Sequence, residues 1–244
     1  MTQKGKALVV GVGPLDGLGG ALCVKFAREG LYVFVAGRTG ASLDAVVAAI
    51  QASGGSAEAV PTDATDPAAV AQLFKAVDLA PGELELVAFN VGNAAFGDLL
   101  TMEPAYFESV WRTSCFSGFL VGQEAGRRMI EKGKGTLLFT GATASIKGRP
   151  PFAAFASAKF ALRGLAQAMA RDWGPRGVHV AHVVIDGAIG GEKIRRGLPQ
   201  IAERLGEEGM VGLEGLADAY WSLHQQPRTA WTHEIDVRTL KETW

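Results

Sequence analysis

A chain of 244 residues, 48% hydrophobic and 20% charged, has the composition of a folded protein and suits one large domain better than two small ones. Its formal net charge of −1 removes the electrostatic case for nucleic acid or for an anionic membrane surface. Two cysteines, Cys23 and Cys115, are too few for a disulfide framework or a metal cluster. No apolar run approaches the ~18 residues that would span a bilayer, and "MTQKGKALVVGVG" reaches glycine too early for a secretory signal, so a soluble cytoplasmic protein is expected.

In chain order, "KALVVGV" (6–12) predicts a buried strand, followed by a glycine turn and the helix "LGGALCVKFAREG". "LYVFVAG" reads as the second strand, residues 42–52 as a helix and "SAEAVPT" as the third strand. "TDPAAVAQLFKAV" opens a helix with Asp66 as N-cap and Pro67 in the first turn. The strand "LELVAFN" precedes a long helix over 104–131, and the strand "GTLLFTG" precedes another over 151–173. "GVHVAHVVI", a helical segment over 192–203, the helix "LEGLADAYWSL" and a strand near "THEIDV" complete the pattern. Continuously apolar strands alternating with helices predict one α/β domain of Rossmann type. It should hold a doubly wound sheet of about seven mostly parallel strands, with helices on both faces.

Two features of this frame point to chemistry. The loop "GVGPLDGLGG" (11–20) joins the first strand to the first helix, where glycines let the backbone approach a pyrophosphate at the positive helix end. The second is Lys159, which ends the apolar run "FAAFASAK". A buried ammonium needs a partner, and Phe155, one helical turn back on the same face, offers no polar atom.

The spacing Gly13, Gly17, Gly19 and four further segments resemble the short-chain dehydrogenase/reductase superfamily, at least from Lys6 to Gly191. "DATD" with Asp63 is similar to the acidic adenine contact after strand three, and "NVGN" (90–93) to the segment ending strand four. "FxxxK" matches the register of the family's Y-x-x-x-K, and "DGAI" (186–189) that of P-G-x-I. The resemblance implies a cofactor site formed by Gly13, Gly17, Leu18, Gly19, Arg38, Thr39, Asp63, Ala64, Asn90, Val91, Gly92, Lys159 and Ile189. In "AGRTG", Gly37 stands at the acidic position that would select NAD(H), with Arg38 and Thr39 after it. A guanidinium and a hydroxyl suit a 2′-phosphate, so NADP(H) is expected over NAD(H). Asp16 stands where NADP-preferring relatives often carry a basic residue.

The family's catalytic set is a tyrosine, a lysine, a serine and an asparagine, of which only Lys159 matches. Phe155 falls at the tyrosine, Ala142 at the serine and Cys115 at the asparagine, and these three are expected in the substrate pocket. Three readings stay open. One is an oxidoreductase with altered chemistry, acting on a small organic substrate. Thr143 (or Thr140, if the loop is shifted) would then approach the substrate oxygen, and Asp186 would serve as acid or base. That substrate is a carbonyl, or an imine or iminium that needs no tyrosine acid. The second is an inactive NADP(H)-binding sensor or partner-binding protein, and the third a domain without ligand.

The four histidines form no metal pattern, and no metal is expected. Trp231 and Trp244 suit core-sealing or subunit contacts. By analogy with the family, 190–205 is a substrate lid with glycine hinges. The long helices flanking strands five and six imply a homodimer or homotetramer.

Overall fold

A computed structural model describes residues 5–242; Trp244 lies outside them. β1 (Lys6–Val10) is buried along its whole length, as an uninterrupted apolar strand must be when both sheet faces are covered. It leads through the glycine loop to α1 (Leu18–Arg28), and β2 (Tyr32–Gly37), α2 (Gly40–Ala52) and β3 (Ser56–Pro61) follow. α3 (Pro67–Leu79) starts at Pro67 because the Asp66 carboxylate accepts from the Ala68 amide at 2.9 Å. β4 (Leu84–Phe89) comes next.

The helix expected over 104–131 is interrupted. α4 (Pro104–Trp111) and α5 (Ser117–Lys132) are joined by a π-type turn over Arg112–Phe116. Hydroxyls explain the widening: Thr113 Oγ1 donates to the Ser109 carbonyl at 2.8 Å, and Ser117 Oγ donates to the Thr113 carbonyl. Such back-bonding competes with the regular ladder.

β5 (Gly135–Thr140), α6 (Ala153–Trp173) and β6 (Val178–Asp186) complete the central part, with all nine residues of β6 buried. Beyond β6, β7 (Ala188–Ile189) and β8 (Met210–Val211) form a two-stranded parallel sheet. Between them run α7 (Glu192–Gly197) and α8 (Pro199–Leu205). The single helix expected over 192–203 is divided because Pro199 cannot continue the first helix and starts the second. α9 (Leu213–His224) and β9 (Glu234–Arg238) end the fold.

The large sheet has the order β3-β2-β1-β4-β5-β6-β9, every pairing parallel. α1, α2 and α9 pack one face through Leu22, Phe26, Val46 and Tyr220; α3, α5 and α6 pack the other through Phe74, Val121 and Leu162. The order in which the chain adds strands reverses between β1 and β4, which opens a crevice at their carboxyl ends, where α/β sheets hold ligands. No helix among the described residues is long and apolar enough to cross a membrane.

Candidate active site

The crevice is a cavity of about 610 Å³ walled by the glycine loop, the segments after β4 and β5, the first turns of α6 and the segment after β6. The glycine loop exists because β1 must turn sharply into α1. Gly17 caps α1 without any side-chain hydrogen bond, and no acidic residue occupies the first turn, so the first amides of the helix are left to a ligand. A Cβ on Gly13 would meet nothing within 4 Å, whereas one on Gly19 would strike the Val12 Cα at 2.9 Å. The first glycine therefore leaves room on the cavity side, and the last lets helix and strand pack. Asn90 Nδ2 donates to the Gly11 carbonyl at 3.2 Å and pins the loop to the end of β4. An uncapped helix start behind a bare backbone cradle fits a pyrophosphate.

Lys159 is 3% exposed and lines this cavity. α6 carries its ammonium to the end of β5, where it donates to the Thr140 carbonyl at 2.9 Å. Thr140 is itself fixed from the far side of the sheet, its hydroxyl lying 2.7 Å from the Tyr220 hydroxyl of α9. Burial pushes the Lys159 pKa down to about 8. Phe155, also on the cavity wall, presents its ring 5.7 Å from the Lys159 ammonium. The lysine thus has a carbonyl and an aromatic face as partners, and its remaining N–H groups are available to a ligand.

Gly92, at φ +136, approaches the same point. A Cβ there would come within 3.3 Å of both Lys159 Nζ and Ser114 Oγ. Ser114 is fully buried, and its hydroxyl has no hydrogen-bond partner among the described residues. Cys115, expected in the substrate pocket, is not on the cavity wall. It is buried, and burial raises its pKa. The neighbouring Ser114, in the same π turn, is also buried and lines no part of the cavity.

Asp186 also needs correction as an acid or base. It is fully buried and absent from the cavity wall. Its Oδ1 accepts from Thr143 Oγ1 at 2.6 Å, and its Oδ2 lies 3.1 Å from an Arg238 nitrogen on β9. The carboxylate is committed to a buried ion pair and braces Thr143, which does line the cavity. Because the Thr143 proton is donated to Asp186, the hydroxyl faces a ligand as an acceptor rather than a donor. Ala142 lines the cavity with no polar side-chain atom; its amide donates to Ser145 Oγ at 3.1 Å.

Gly13, Gly17, Leu18, Gly19, Asn90, Val91, Gly92 and Ile189 all line the cavity, whereas Arg38, Thr39, Asp63 and Ala64 lie outside its walls, after β2 and β3. The Asp63 carboxylate accepts from the Thr65 amide and hydroxyl at 2.9 and 2.8 Å; these bonds, with the nearby Arg38, lower its pKa. A Cβ at Gly37 would meet the Val12 carbonyl oxygen at 2.3 Å. Any side chain at that position, acidic ones included, is excluded by the backbone.

Sequence reasoning missed Lys193 and Asn93 as cavity residues. Lys193, on α7, donates to Asn93 Oδ1 at 2.6 Å, which ties the segment between β7 and β8 to the end of β4. Packing around Lys193, with the nearby Arg38 charge, lowers its pKa. The same segment is fastened to the glycine loop through the Glu192 amide, 2.6 Å from the Asp16 carbonyl. Gly191 is wedged there, since a Cβ would meet that oxygen at 2.8 Å; it fixes the segment rather than hinging it. Trp231 stacks on His179 at 5.0 Å with a 1° interplanar angle, sealing the β6–β9 edge.

Comparison with known proteins agrees with this geometry. The sequence model of the short chain dehydrogenase family matches residues 6–189. The chain is 34% identical over 184 residues to versicolorin reductase 1 of Aspergillus parasiticus, covering 75% of this chain and 69% of that protein. It is 30% identical over 171 residues to a protein of Xanthobacter autotrophicus named inactive 2-(S)-hydroxypropyl-CoM dehydrogenase 2, covering 70% and 73%. The crystal structure of a short-chain dehydrogenase from Rhodopseudomonas palustris superposes with a TM-score of 0.81 at 39% identity, over 96% of this chain and 98% of the other.

Proposed function

The chain belongs to the short-chain dehydrogenase family, and from that premise we propose that it is an NADP(H)-dependent oxidoreductase in which Lys159, rather than a tyrosine, provides the proton. The observation that carries this is the buried Lys159 ammonium on the cavity wall beside the Phe155 ring, with its pKa drawn down to about 8. Bound NADP(H) would supply or accept the hydride. The amides of Leu18 and Gly19 hold the pyrophosphate, Arg38 and Thr39 the 2′-phosphate, and Asp63 and Ala64 the adenine. The backbone of Asn90, Val91, Gly92 and Ile189 frames the nucleoside and nicotinamide. Lys159 takes the ribose.

Carbonyl reduction gives an alkoxide that must gain a proton. Phe155 and Ala142 have none to give, and the Thr143 proton is held by Asp186. Of the donors on this wall, Lys159 Nζ lies beside the Phe155 ring, and a group with a pKa of about 8 gives and regains protons readily near neutrality. In the reverse direction the neutral amine takes up the alcohol proton. The cavity wall carries Lys147, Arg149, Lys159 and Lys193 against the single carboxylate of Glu242, which disfavours the cationic imine substrate and favours a carbonyl. The segment 190–205, held at both ends by the β7–β8 pair, acts as the substrate lid. Exposed Phe107, Trp111, Phe119 and Phe160 on α4–α6 support assembly as a homodimer or homotetramer.

The test is NADPH consumption with a panel of ketones and aldehydes, followed by nicotinamide absorbance, in the wild type and Lys159→Met. Turnover that disappears in the variant supports the reading. NADPH binding without any turnover supports the second one, a dinucleotide-binding protein that does no chemistry. That reading is favoured by the absent tyrosine and serine, and by a relative that is named inactive.

A further inference from the structure

The end of the cavity beyond Lys159 has a chemistry of its own. Its wall includes Phe96, Phe152, Phe155 and Leu198. Phe96 is 56% exposed, yet its ring lies 4.9 Å from that of Phe152 at 49°. The Gly97 amide donates to the Pro151 carbonyl at 3.0 Å, so the segments after β4 and β5 present these two rings together. A large aromatic surface kept at a cavity mouth marks a binding surface.

Lys147 and Arg149 are on the same wall, two residues apart in the segment after β5. Neither side chain makes a hydrogen bond or ion pair among the described residues. They follow β5, two strands along the sheet from the glycine loop after β1, with β4 between them. No carboxylate from the segments after β4 or β5 lines the cavity; Glu242 comes from beyond β9.

From this juxtaposition we infer that the substrate is a ring-bearing apolar compound with an anionic group. The rings of Phe96 and Phe152 take its flat face, and Lys147 with Arg149 take its anion. This deepens the proposed function and rests on it. Guanidinium and ammonium groups together accept either a carboxylate or a phosphate, and an aromatic pair prefers a planar ring to a flexible chain.

The experiment is calorimetric titration of the full chain, with and without saturating NADP⁺, using 2-naphthoate, 2-naphthyl phosphate, the neutral 2-naphthamide and acetate. At least one naphthyl anion should bind about tenfold more tightly than the amide, as a charge-assisted bond predicts, and acetate should not bind detectably. Lys147→Gln with Arg149→Gln should bring the anions down to the affinity of the amide, and Arg149→Glu should reverse the preference. Preference for the carboxylate or for the phosphate identifies the anion; either supports the inference. Equal binding of anions and amide, no binding of any naphthyl probe, or an unchanged anion preference in the double variant would overturn it. NADPH binding, followed by its own fluorescence, checks the fold of each variant. Its failure in the wild type counts against the proposed function, and the cofactor-free titration still reads the substrate inference.

Discussion

The ammonium of Lys159 stands 5.7 Å from the centre of the Phe155 ring, at a depth where burial has lowered its pKa to about 8. With a phenyl ring at residue 155, the lysine carries its positive charge against an aromatic face, and the proposed reduction takes its proton from there.

The reductive rate should therefore depend on pH in a defined direction. The ammonium is the acid, so kcat/KM for reduction should be level below about pH 8 and fall about tenfold per unit above it, following the pKa of about 8. A pH profile of NADPH oxidation checks this. A rate that rises through the same window would contradict it.

Stability should show the opposite cost. A lysine whose folded pKa is about 8 against an ordinary value of 10.5 binds fewer protons folded than unfolded between those two pH values. It therefore destabilises the fold below pH 8, and the penalty disappears as pH rises through 10.5. Lys159→Met should stabilise the cofactor-free protein by about 3 kcal/mol at neutral pH, with the gain shrinking above pH 8. Urea unfolding of both proteins at two pH values measures the difference.

Phe155→Tyr combined with Ala142→Ser adds a second donor beside Lys159, so ketone reduction should rise, but by less than the ~10²–10⁴-fold that a positioned general acid contributes where none is present. Both positions line the cavity, so the new hydroxyls face the reacting end. Steady-state kinetics decides; no turnover in either protein would favour the binding-only reading.

Arg38→Gln should weaken NADPH binding about tenfold to a hundredfold, the loss of one charge-assisted bond of roughly 1.5–3 kcal/mol, and leave NADH nearly unaffected. Gly37→Asp should not install NADH preference, because its Cβ would meet the Val12 carbonyl at 2.3 Å. Fluorescence titrations with both nucleotides test the pair.

Asp186→Asn should act on stability rather than on proton transfer. It weakens the pair with Arg238 and the brace on Thr143, so the folded state should lose stability. The pH profile of turnover should keep its shape, and denaturant unfolding should show the loss.

The alternation of apolar strands and helices was enough to anticipate the parallel sheet, since β1 and β6 are buried along their lengths and are apolar for that reason. Asp66 and Pro67 marked the start of α3 because cap chemistry is local. The site was legible where its logic is local too, as in the glycine loop and Lys159. It was not legible where it depends on contacts between distant parts of the chain. The pair of Asp186 with Arg238 joins β6 to β9, and no spacing announces it. The absence of Cys115 from the cavity wall goes with a π turn over Arg112–Phe116, which a helical period cannot reveal. The Lys193 bond to Asn93 spans the cleft from one segment to another.

The most direct test of the central claim is equilibrium binding of NADPH and NADH to the wild type and to Lys159→Met, read by nicotinamide fluorescence. The wild type should bind NADPH at least tenfold more tightly than NADH, as an Arg38 contact with the 2′-phosphate requires, and Lys159→Met should weaken both by losing the ribose contact. No binding of either nucleotide by the wild type, or equal affinities that Lys159→Met leaves unchanged, would contradict it.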